Sequence, residues 1–330
     1  MKSAMEVSPS VYEHAARFIG RTPWEVSRDG GLIYQAHAAA YEYYRHSPIM
    51  PGIDIYNLEP EAYGARIDQP SGNNIPAIGR HPFDEVEELL DLPPLDPSTA
   101  GRIPMLIEAA ARLAGRFPEV DIRVPVSGPF SIASNLVGFD TLLMECATNP
   151  ELVARVMMHL GEGQVRFARA IKEAGLDVAF FESAACPPML SPRLFRDVEL
   201  PALRDLMKRI GEVVGHPIPC IIGGNTAPIV EQMLETGTGY LIAPFETDQQ
   251  LFMTKVADRP DVRVRINIDL RLLVYGTRDQ IAAEADRALA LAGSHPNVCI
   301  GTGTLPYETV PENVRFLQQY ITNHPTSQTI

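Results

Sequence analysis

The stretch VRVRINID, residues Val262–Asp269, decides the fold class because apolar and polar side chains alternate along all of it. Its polar set is Arg263, Arg265, Asn267 and Asp269. In a closed barrel of parallel strands, one face of each strand packs against helices and the other points into the interior. The pattern therefore predicts polar side chains inside a barrel, with an edge strand that has a solvated polar face as the alternative.

Six more short apolar runs surround this one, and each ends in polar or glycine residues. They are IDIYNLE (Ile53–Glu59), IRVPVSGP (Ile122–Pro129), VAFFESA (Val178–Ala184), IPCIIGGN (Ile218–Asn225), GYLIAPFE (Gly239–Glu246) and VCIGTGT (Val298–Thr304). Apart from the first gap, stretches with helical periodicity separate them. This alternation predicts an α/β fold, a (β/α)8 TIM barrel with its site at the carboxyl ends of the strands.

The N-terminal part differs from this regular pattern. Residues 9–48 have helical patterns, so residues 1–50 are predicted to form an N-terminal helical segment. Residues 68–100 are dense in Pro, Gly and Asn and predict a long excursion over the barrel mouth, with one helical turn at Asp84–Leu90. No composition break divides residues 1–330, which favours a single domain.

Composition limits the classes of function. The formal net charge of −13 leaves no basic stripe for nucleic acid or for an anionic membrane surface. No apolar stretch is long enough to span a bilayer, and the first residues lack the apolar run of a signal peptide. Four widely spaced cysteines without a CxxC pair indicate reduced thiols, so we expect a cytoplasmic enzyme.

Two residues are the main candidates for chemistry. Arg265 would bind a substrate carboxylate or phenolate, with Asn267 as a hydrogen-bond partner. Glu182 follows four apolar residues, so burial should raise its pKa and fit it for acid–base work or metal binding. A carboxylate that only accepts backbone N–H groups is the alternative for Glu182. We expect Glu182, Arg265 and Asn267 to converge in one cavity at the rim.

Further candidates fall where other predicted strands end. The substrate-binding set comprises Tyr56, Asn57, Ser127, Phe130, Asn225, Glu246 and Asn267. Paired glycines in IIGGNT and CIGTGT would let the backbone approach a ligand closely. Neither segment is a nucleotide-binding loop, and the histidines form no HxxH or HExxH pair. Each candidate taken alone also fits a purely structural role.

Several of these segments together resemble the uroporphyrinogen decarboxylase superfamily. They are GIDIYNLEPEAYGARI, VSGPFSIASNLVGFDTLL, FESAACPPMLSPRLF, IGGNTAPIVEQML, VRVRINID and IGTGTLPYETVPENVRF, in matching order over residues 33–322. The resemblance implies a (β/α)8 barrel and is strongest to the corrinoid-dependent methyltransferases. The decarboxylase proper carries an Arg-Gln-Ala-Gly-Arg stretch, and the corresponding region here, YQAHAAAYEYYRH, lacks it. Haem-pathway decarboxylation is therefore not expected.

The zinc site of the thiol-alkylating members is also missing. They bind zinc through a His-x-Cys pair and a later Cys, and the corresponding positions here are Ile221, Gly223 and Thr304. Transfer to a thiol activated by zinc is therefore not expected.

The chain looks most like the aryl-ether O-demethylase methyltransferases, which pass a methyl group to a separate corrinoid protein. That resemblance makes zinc possible and points to Glu182, Asp197 and Cys220 as its ligands, with Cys220 also fitting a packing role.

The leading hypothesis is thus a methyltransferase that moves a methyl group from a small methoxylated, aromatic donor to a corrinoid protein, and a homodimer is a further expectation. The first alternative is a metal-free decarboxylase or lyase for a small carboxylated substrate, in which Arg265 anchors the carboxylate. The second is a barrel that only binds a ligand or partner.

Overall fold

The computed structural model describes residues 5–293 and 295–324. Its strands are β1 (Val7–Ser10), β2 (Arg66–Asp68), β3 (Ala77–Arg80), β4 (Arg123–Ser127), β5 (Asp177–Phe181), β6 (Pro219–Cys220), β7 (Tyr240–Ala243), β8 (Arg263–Asn267) and β9 (Val298–Thr304). All the paired strands are parallel except β2 and β3, which form an antiparallel hairpin.

The parallel strands follow one another around a barrel. One sheet has the order β1-β9-β8-β7-β6, and a second pairs β4 with β5. Parallel bridges from Phe181 to Ile221 and from Ile49 to Ile122 continue the order through both sheets to the segment around Ile49. Strand neighbours in chain order are typical of the (β/α)8 TIM barrel, and the predicted fold class is confirmed.

Helices alternate with these strands. They are α1 (Pro23–Ser27), α2 (Gly30–Tyr44), α3 (Leu58–Ala62), α4 (Ile103–Arg116), α5 (Pro129–Val137), α6 (Phe139–Thr148), α7 (Pro150–Glu173), α8 (Pro192–Leu194), α9 (Leu200–Val214), α10 (Val230–Leu234), α11 (Gln249–Val256), α12 (Arg271–Tyr275), α13 (Arg278–Ala292) and α14 (Pro311–Asn323). A π-helical stretch, Phe195–Glu199, joins α8 to α9. Short 3-10 helices span Tyr12–Ile19, Ile55–Asn57, Val86–Asp91 and Ala227–Ile229.

Local sequence explains where several helices begin. Thr277 and Gln280 form a capping box at the start of α13, and Asp248 accepts the backbone N–H of Leu251 at the start of α11. Proline occupies the first turn of α5, α7 and α14, where its missing N–H leaves no helical bond unmade. Within the described residues, no helix is both long and apolar enough to cross a membrane.

The N-terminal prediction was wrong in two places. IDIYNLE is not a strand, because Ile55–Asn57 is a 3-10 helix that continues into α3, and the barrel position belongs to the segment at Ile49. The helical segment 1–50 also contributes a barrel strand, since β1 pairs parallel with β9. Strand β1 has only four residues and includes a proline, so it carries no alternation to read.

The excursion after the first helices contains its predicted helical turn, and its place over the barrel mouth stays a prediction. Residues 66–80 form the β2–β3 hairpin, and Val86–Asp91 supplies the helical turn. The excursion is anchored to α5 through the Phe83 amide, which donates to the Leu136 carbonyl at 3.3 Å.

Candidate active site

A cavity of about 370 Å³ lies at the carboxyl ends of the barrel strands, and we call it the mouth cavity. Its lining comes from nearly every part of the barrel: Ser10, Tyr12, Met50, Ile55, Tyr56, Phe181, Ser183, Ile221, Gly223, Gly224, Ile242, Pro244, Glu246, Arg265, Asn267, Gly303 and Thr304. A concave site with an apolar wall and a few convergent polar groups is typical of small-molecule binding.

Strand β8 supplies the central charge of the mouth cavity. Val264 and Ile266 pack outward and are fully buried, whereas Arg265 and Asn267 face the interior. Arg265 is only 4% exposed, and its Nη1 donates to Ser10 Oγ at 3.2 Å. Its buried Nε has no partner, and no carboxylate of the described residues lies within 4.0 Å of the guanidinium. A buried cation without an anionic partner is costly, so the cavity favours an anion beside Arg265.

Other polar groups surround the guanidinium. The Asn267 side chain is buried and its Oδ1 accepts no hydrogen bond. The hydroxyl of Tyr56 accepts a hydrogen bond from Ser183 Oγ at 3.2 Å, and the Tyr56 ring meets Phe181 edge to face at 4.8 Å. Burial raises the pKa values of Tyr12 and Tyr56, and the positive charge of Arg265 opposes that rise. Both hydroxyls therefore remain protonated donors at neutral pH.

The expected convergence with Glu182 was wrong. Glu182 belongs to the outward-facing set of β5, and its carboxylate accepts the N–H groups of Phe130 and Ser131 at 3.1 and 2.8 Å. A Cβ on Gly128 would lie 1.9 Å from Glu182 Oε2, so this carboxylate fits against the start of α5 because residue 128 is glycine. Burial raises the pKa of Glu182 to about 7 against the lowering effect of these hydrogen bonds. The geometry gives Glu182 a structural role at the first turn of α5.

The proposed metal set is not assembled. Glu182 and Cys220 are fully buried behind the barrel wall, whereas the Asp197 side chain is 46% exposed and pairs with Arg193. In the described ranges, no group of three or more His, Cys, Asp or Glu side chains is arranged to hold a metal ion. The prediction of Glu182, Asp197 and Cys220 as common ligands is therefore wrong.

The positions of the zinc ligands in thiol-alkylating relatives lie on the cavity wall. Ile221, Gly223 and Thr304 all line the mouth cavity. Neither Ile221 nor Gly223 offers a side-chain ligand, and a threonine hydroxyl is not among the usual zinc ligands. The residues at this place do not fit zinc.

The remaining predicted residues divide into two groups. Tyr56 and Glu246 line the mouth cavity, whereas four others lie outside its lining and hold neighbouring segments: Asn57, Ser127, Phe130 and Asn225.

Each of those four has a partner in the surrounding structure. Asn57 Nδ2 donates to Asp54 Oδ2 and to the Pro76 carbonyl. Both the amide and hydroxyl of Ser127 donate to the Glu59 carboxylate, and Asn225 Oδ1 accepts from Thr247 Oγ1. The Phe130 ring is fully buried in the core.

Sequence reasoning missed Ser10, Tyr12 and Met50. Ser10 ends β1, Tyr12 follows that strand, and Met50 follows the bridging residue Ile49. Neither segment carries an alternating pattern, so these residues are revealed by the long-range pairing of β1 with β9 and of Ile49 with Ile122.

Comparison with known proteins identifies the family. The sequence matches the uroporphyrinogen decarboxylase (URO-D) family over residues 1–324. The chain belongs to the uroporphyrinogen decarboxylase family. The family assignment made from sequence motifs is confirmed.

Relatives within the family include methyltransferases. The methylcobamide:CoM methyltransferase MtaA of Methanosarcina barkeri is 26% identical over 260 residues, which cover 78% of this chain and 74% of that protein. The uroporphyrinogen decarboxylase of Nocardia farcinica is 27% identical over 241 residues, 68% of this chain and 65% of that protein.

A solved methyltransferase from Methanosarcina mazei has the same fold. It superposes with a TM-score of 0.81 at 22% identity, covering 97% of this chain and 93% of that one. This likeness supports the barrel architecture across the whole described chain.

Proposed function

We propose that this chain is a methyltransferase that takes a methyl group from a small methoxylated aromatic donor and passes it to a corrinoid protein. The curated relatives that act as methylcobamide:CoM methyltransferases support methyl transfer with a corrinoid. The observation that carries the proposal is the unpaired guanidinium of Arg265 in the mouth cavity, at a place where the zinc-ligand positions of other members carry Ile221, Gly223 and Thr304.

The shape and lining of the mouth cavity suit an aromatic donor. Phe181 and Tyr56 present ring surfaces, and Met50, Ile55 and Ile242 add apolar side chains. Aromatic rings pack favourably edge to face, as Phe181 and Tyr56 already do with each other. A methoxyarene would lie among these side chains with its oxygen toward Arg265.

The chemical task of the protein is to stabilise the departing oxygen. When the methyl group moves to the cobalt(I) of the corrinoid protein, the carbon–oxygen bond breaks and its electron pair stays on oxygen. The product is a phenolate with one negative charge, which leaves poorly without assistance. Arg265 would pair with that charge, and the protonated hydroxyls of Tyr12 and Tyr56 would donate hydrogen bonds in a site shielded from water.

The altered zinc-ligand positions argue against a thiol as the methyl acceptor. In the thiol-alkylating branch, zinc favours the thiolate form of the acceptor. Since Ile221 and Gly223 provide no ligand, coenzyme M or homocysteine would have to react as an unactivated thiol. We therefore favour donor demethylation, and the partner is a corrinoid protein; a homodimer stays a prediction.

The experiment is direct. The purified protein is mixed with cob(I)alamin and a panel of methoxylated and of carboxylated aromatic compounds, and the cobalt absorption spectrum is followed while products are analysed. We expect methylcobalamin and an equal amount of phenol from at least one methoxyarene. Release of carbon dioxide from a carboxylated compound, with no methylcobalamin from any donor, would favour the lyase instead.

A further inference from the structure

A second cavity of about 570 Å³ lies at the amino ends of the barrel strands, and we call it the basal cavity. Small inward side chains border it, namely Ser8 on β1, Ala179 on β5 and Cys299 on β9. Bulky branched side chains normally fill this layer of a TIM barrel. Their replacement by small residues leaves space on the barrel axis that packing alone does not explain.

Arg265 separates the two cavities. It lines both of them, together with Met50 and Ile221. One edge of its guanidinium donates to Ser10 Oγ, while the buried Nε has no partner. An anion approaching from the basal side would therefore meet unused donors of the same side chain.

Three acidic residues and three arginines line the basal cavity, so their formal charges balance. Among its lining residues, each acidic side chain is already in an ion pair: Glu6 with Arg263, Asp121 with Arg123 at 2.6 Å, and Asp261 with Arg259 at 2.8 Å. Arg265 has no such partner in the described part of the chain. A ligand carboxylate can therefore pair with Arg265 without displacing an existing ion pair.

Two further polar groups point to where that charge would lie. Arg263 precedes Arg265 by two residues on the same face of β8, and its buried Nε also has no partner. Tyr240 is on the neighbouring strand, and its hydroxyl has only a long contact of 3.9 Å to Cys299 Sγ. These donors share the interior face of β7 and β8, whereas Pro48, Pro217 and Pro219 provide apolar wall.

We propose that the basal cavity binds a small monocarboxylate with an apolar body. Its carboxylate lies between the guanidinium groups of Arg263 and Arg265 and accepts a hydrogen bond from Tyr240, and its body packs against the prolines. Because both cavities use Arg265, a carboxylate bound below weakens the binding of an anion above, and the effect is reciprocal. The site is independent of which methyl donor the mouth cavity takes.

The test uses benzoate as the probe and isothermal titration calorimetry as the measurement. Benzoate can also meet Arg265 from above, so the titration is done on Gly223→Leu, whose side chain narrows the mouth cavity. A Cβ on Gly223 meets nothing within 4 Å, and the backbone there is not left-handed, so this side chain is tolerated. We expect Gly223→Leu to bind benzoate in a single site.

Variants of the basal lining are then compared in that background. Arg263→Met should weaken benzoate about tenfold through the loss of a charge-assisted hydrogen bond, and Tyr240→Phe should weaken it several-fold. Arg193→Met is the matched control, since Arg193 pairs with Asp197 and both residues lie outside the cavity lining. Circular dichroism of each variant checks that it is folded.

Either of two results would overturn the proposal. One is an absence of benzoate binding to folded Gly223→Leu. The other is equal affinity in the Gly223→Leu protein with and without Tyr240→Phe and Arg263→Met. Neither result depends on methyl transfer, so failure of the basal site and failure of the proposed activity are distinguishable.

Discussion

At the scale of single residues, the position of Arg265 depends on the glycine beside it. A Cβ on Gly301, in the neighbouring strand β9, would lie 2.3 Å from Arg265 Cδ and 2.9 Å from the Ser8 carbonyl oxygen. Real Cβ atoms do not approach other atoms so closely, so any side chain at residue 301 must displace the arginine stem or the strand. Gly301 therefore positions the guanidinium.

This leads to a prediction for Gly301→Ala. We expect destabilisation by about 1 to 3 kcal/mol from overpacking, together with weaker binding of phenolate products because Arg265 is displaced. Thermal unfolding measures the destabilisation. Calorimetric titration with a phenol measures the weaker binding. For stability, Gly303→Ala is the matched comparison on the same strand, because its Cβ would make only an ordinary contact of 3.8 Å with Leu270. Equal stability of the two variants would contradict the packing argument.

The sequence predicted some of the side chains that face the barrel interior. Alternation in VRVRINID was enough to place Arg265 and Asn267 on the inner face of β8. The same rule applied to β5 places Val178, Phe180 and Glu182 together on the outer face, so the burial of Glu182 in the wall was also available. What alternation does not reveal is that the Glu182 carboxylate meets the first turn of α5, because that contact joins segments 51 residues apart.

At the scale of elements, a small polar network ties the β2–β3 hairpin to the segment that leads into α3. Arg102 forms a two-pronged ion pair with Asp54 at 2.7 and 2.8 Å. Asp54 in turn accepts from Asn57 Nδ2, which also donates to the Pro76 carbonyl in the loop just before β3. Asn57 thus links the excursion to the barrel.

Removing that link has an expected consequence. Asn57→Ala leaves the Pro76 carbonyl without its donor, which costs about 1 to 3 kcal/mol of local stability. We expect faster proteolytic cleavage between residues 69 and 76 and a higher KM for the donor, with kcat little changed. Asn74→Ala serves as the control, since its Nδ2 donates only to Ser71 within the exposed turn. Cleavage at the same rate in both variants would remove Asn57 from this role.

The bounds of strands and helices could be predicted where apolar and polar residues alternate or a helix cap is present. Elsewhere they could not. Strands β7, β8 and β9 fall inside their predicted runs, and the Thr277–Gln280 capping box marks the start of α13. In contrast, β1 is identified by its long-range pairing with β9, which no local pattern encodes. The apolar run Ile53–Glu59 is too short for its periodicity to distinguish a strand from the helical turn that it forms.

At the scale of the whole molecule, two sets of buried ionisable groups act on stability in different pH ranges. Burial lowers the pKa values of His14 and His37 to about 4 and of His46 to about 3. These histidines stabilise the fold above their unfolded pKa, and that contribution is lost as the pH falls. The buried carboxyls Glu182 and Glu199 behave oppositely, since burial raises both pKa values and the charge of Glu182 raises the pKa of Glu199 further.

The carboxyl pair gives a prediction for Glu199→Gln. The folded protein holds a proton on this pair more tightly than the unfolded chain does, so stability is greatest near the unfolded pKa and falls as pH rises toward and beyond about 7. Glutamine keeps the shape and removes one charge. We expect the variant to gain on the order of 1 to 3 kcal/mol at about pH 8 and little at about pH 5.

Thermal unfolding of both proteins from about pH 5 to about pH 8.5 measures this difference. The histidine contribution is common to both and cancels in the comparison. Asp197→Asn, on the same π-helical stretch but with an exposed side chain, should shift stability little at any pH. A wild-type protein that is as stable as Glu199→Gln at the alkaline end would refute a shared buried proton.

Metal removal tests the altered zinc-ligand positions. Because Ile221 and Gly223 cannot ligate zinc, prolonged dialysis against a chelator should leave methyl transfer to cob(I)alamin unchanged. The rate of methyl transfer is measured before dialysis, after dialysis, and again after zinc is added back. If activity is lost on dialysis and only zinc restores it, the protein binds zinc through residues other than these.

The most direct measurement of the central claim is the rate of methyl transfer from a methoxyarene to cob(I)alamin by Arg265→Met. If the unpaired guanidinium stabilises the departing oxygen, kcat should fall about 100-fold or more, while the exposed control Arg193→Met keeps the wild-type rate. Arg265→Lys should recover part of the loss, because it restores the charge but not the planar donor geometry. A folded Arg265→Met protein that transfers methyl groups at the wild-type rate would contradict the account.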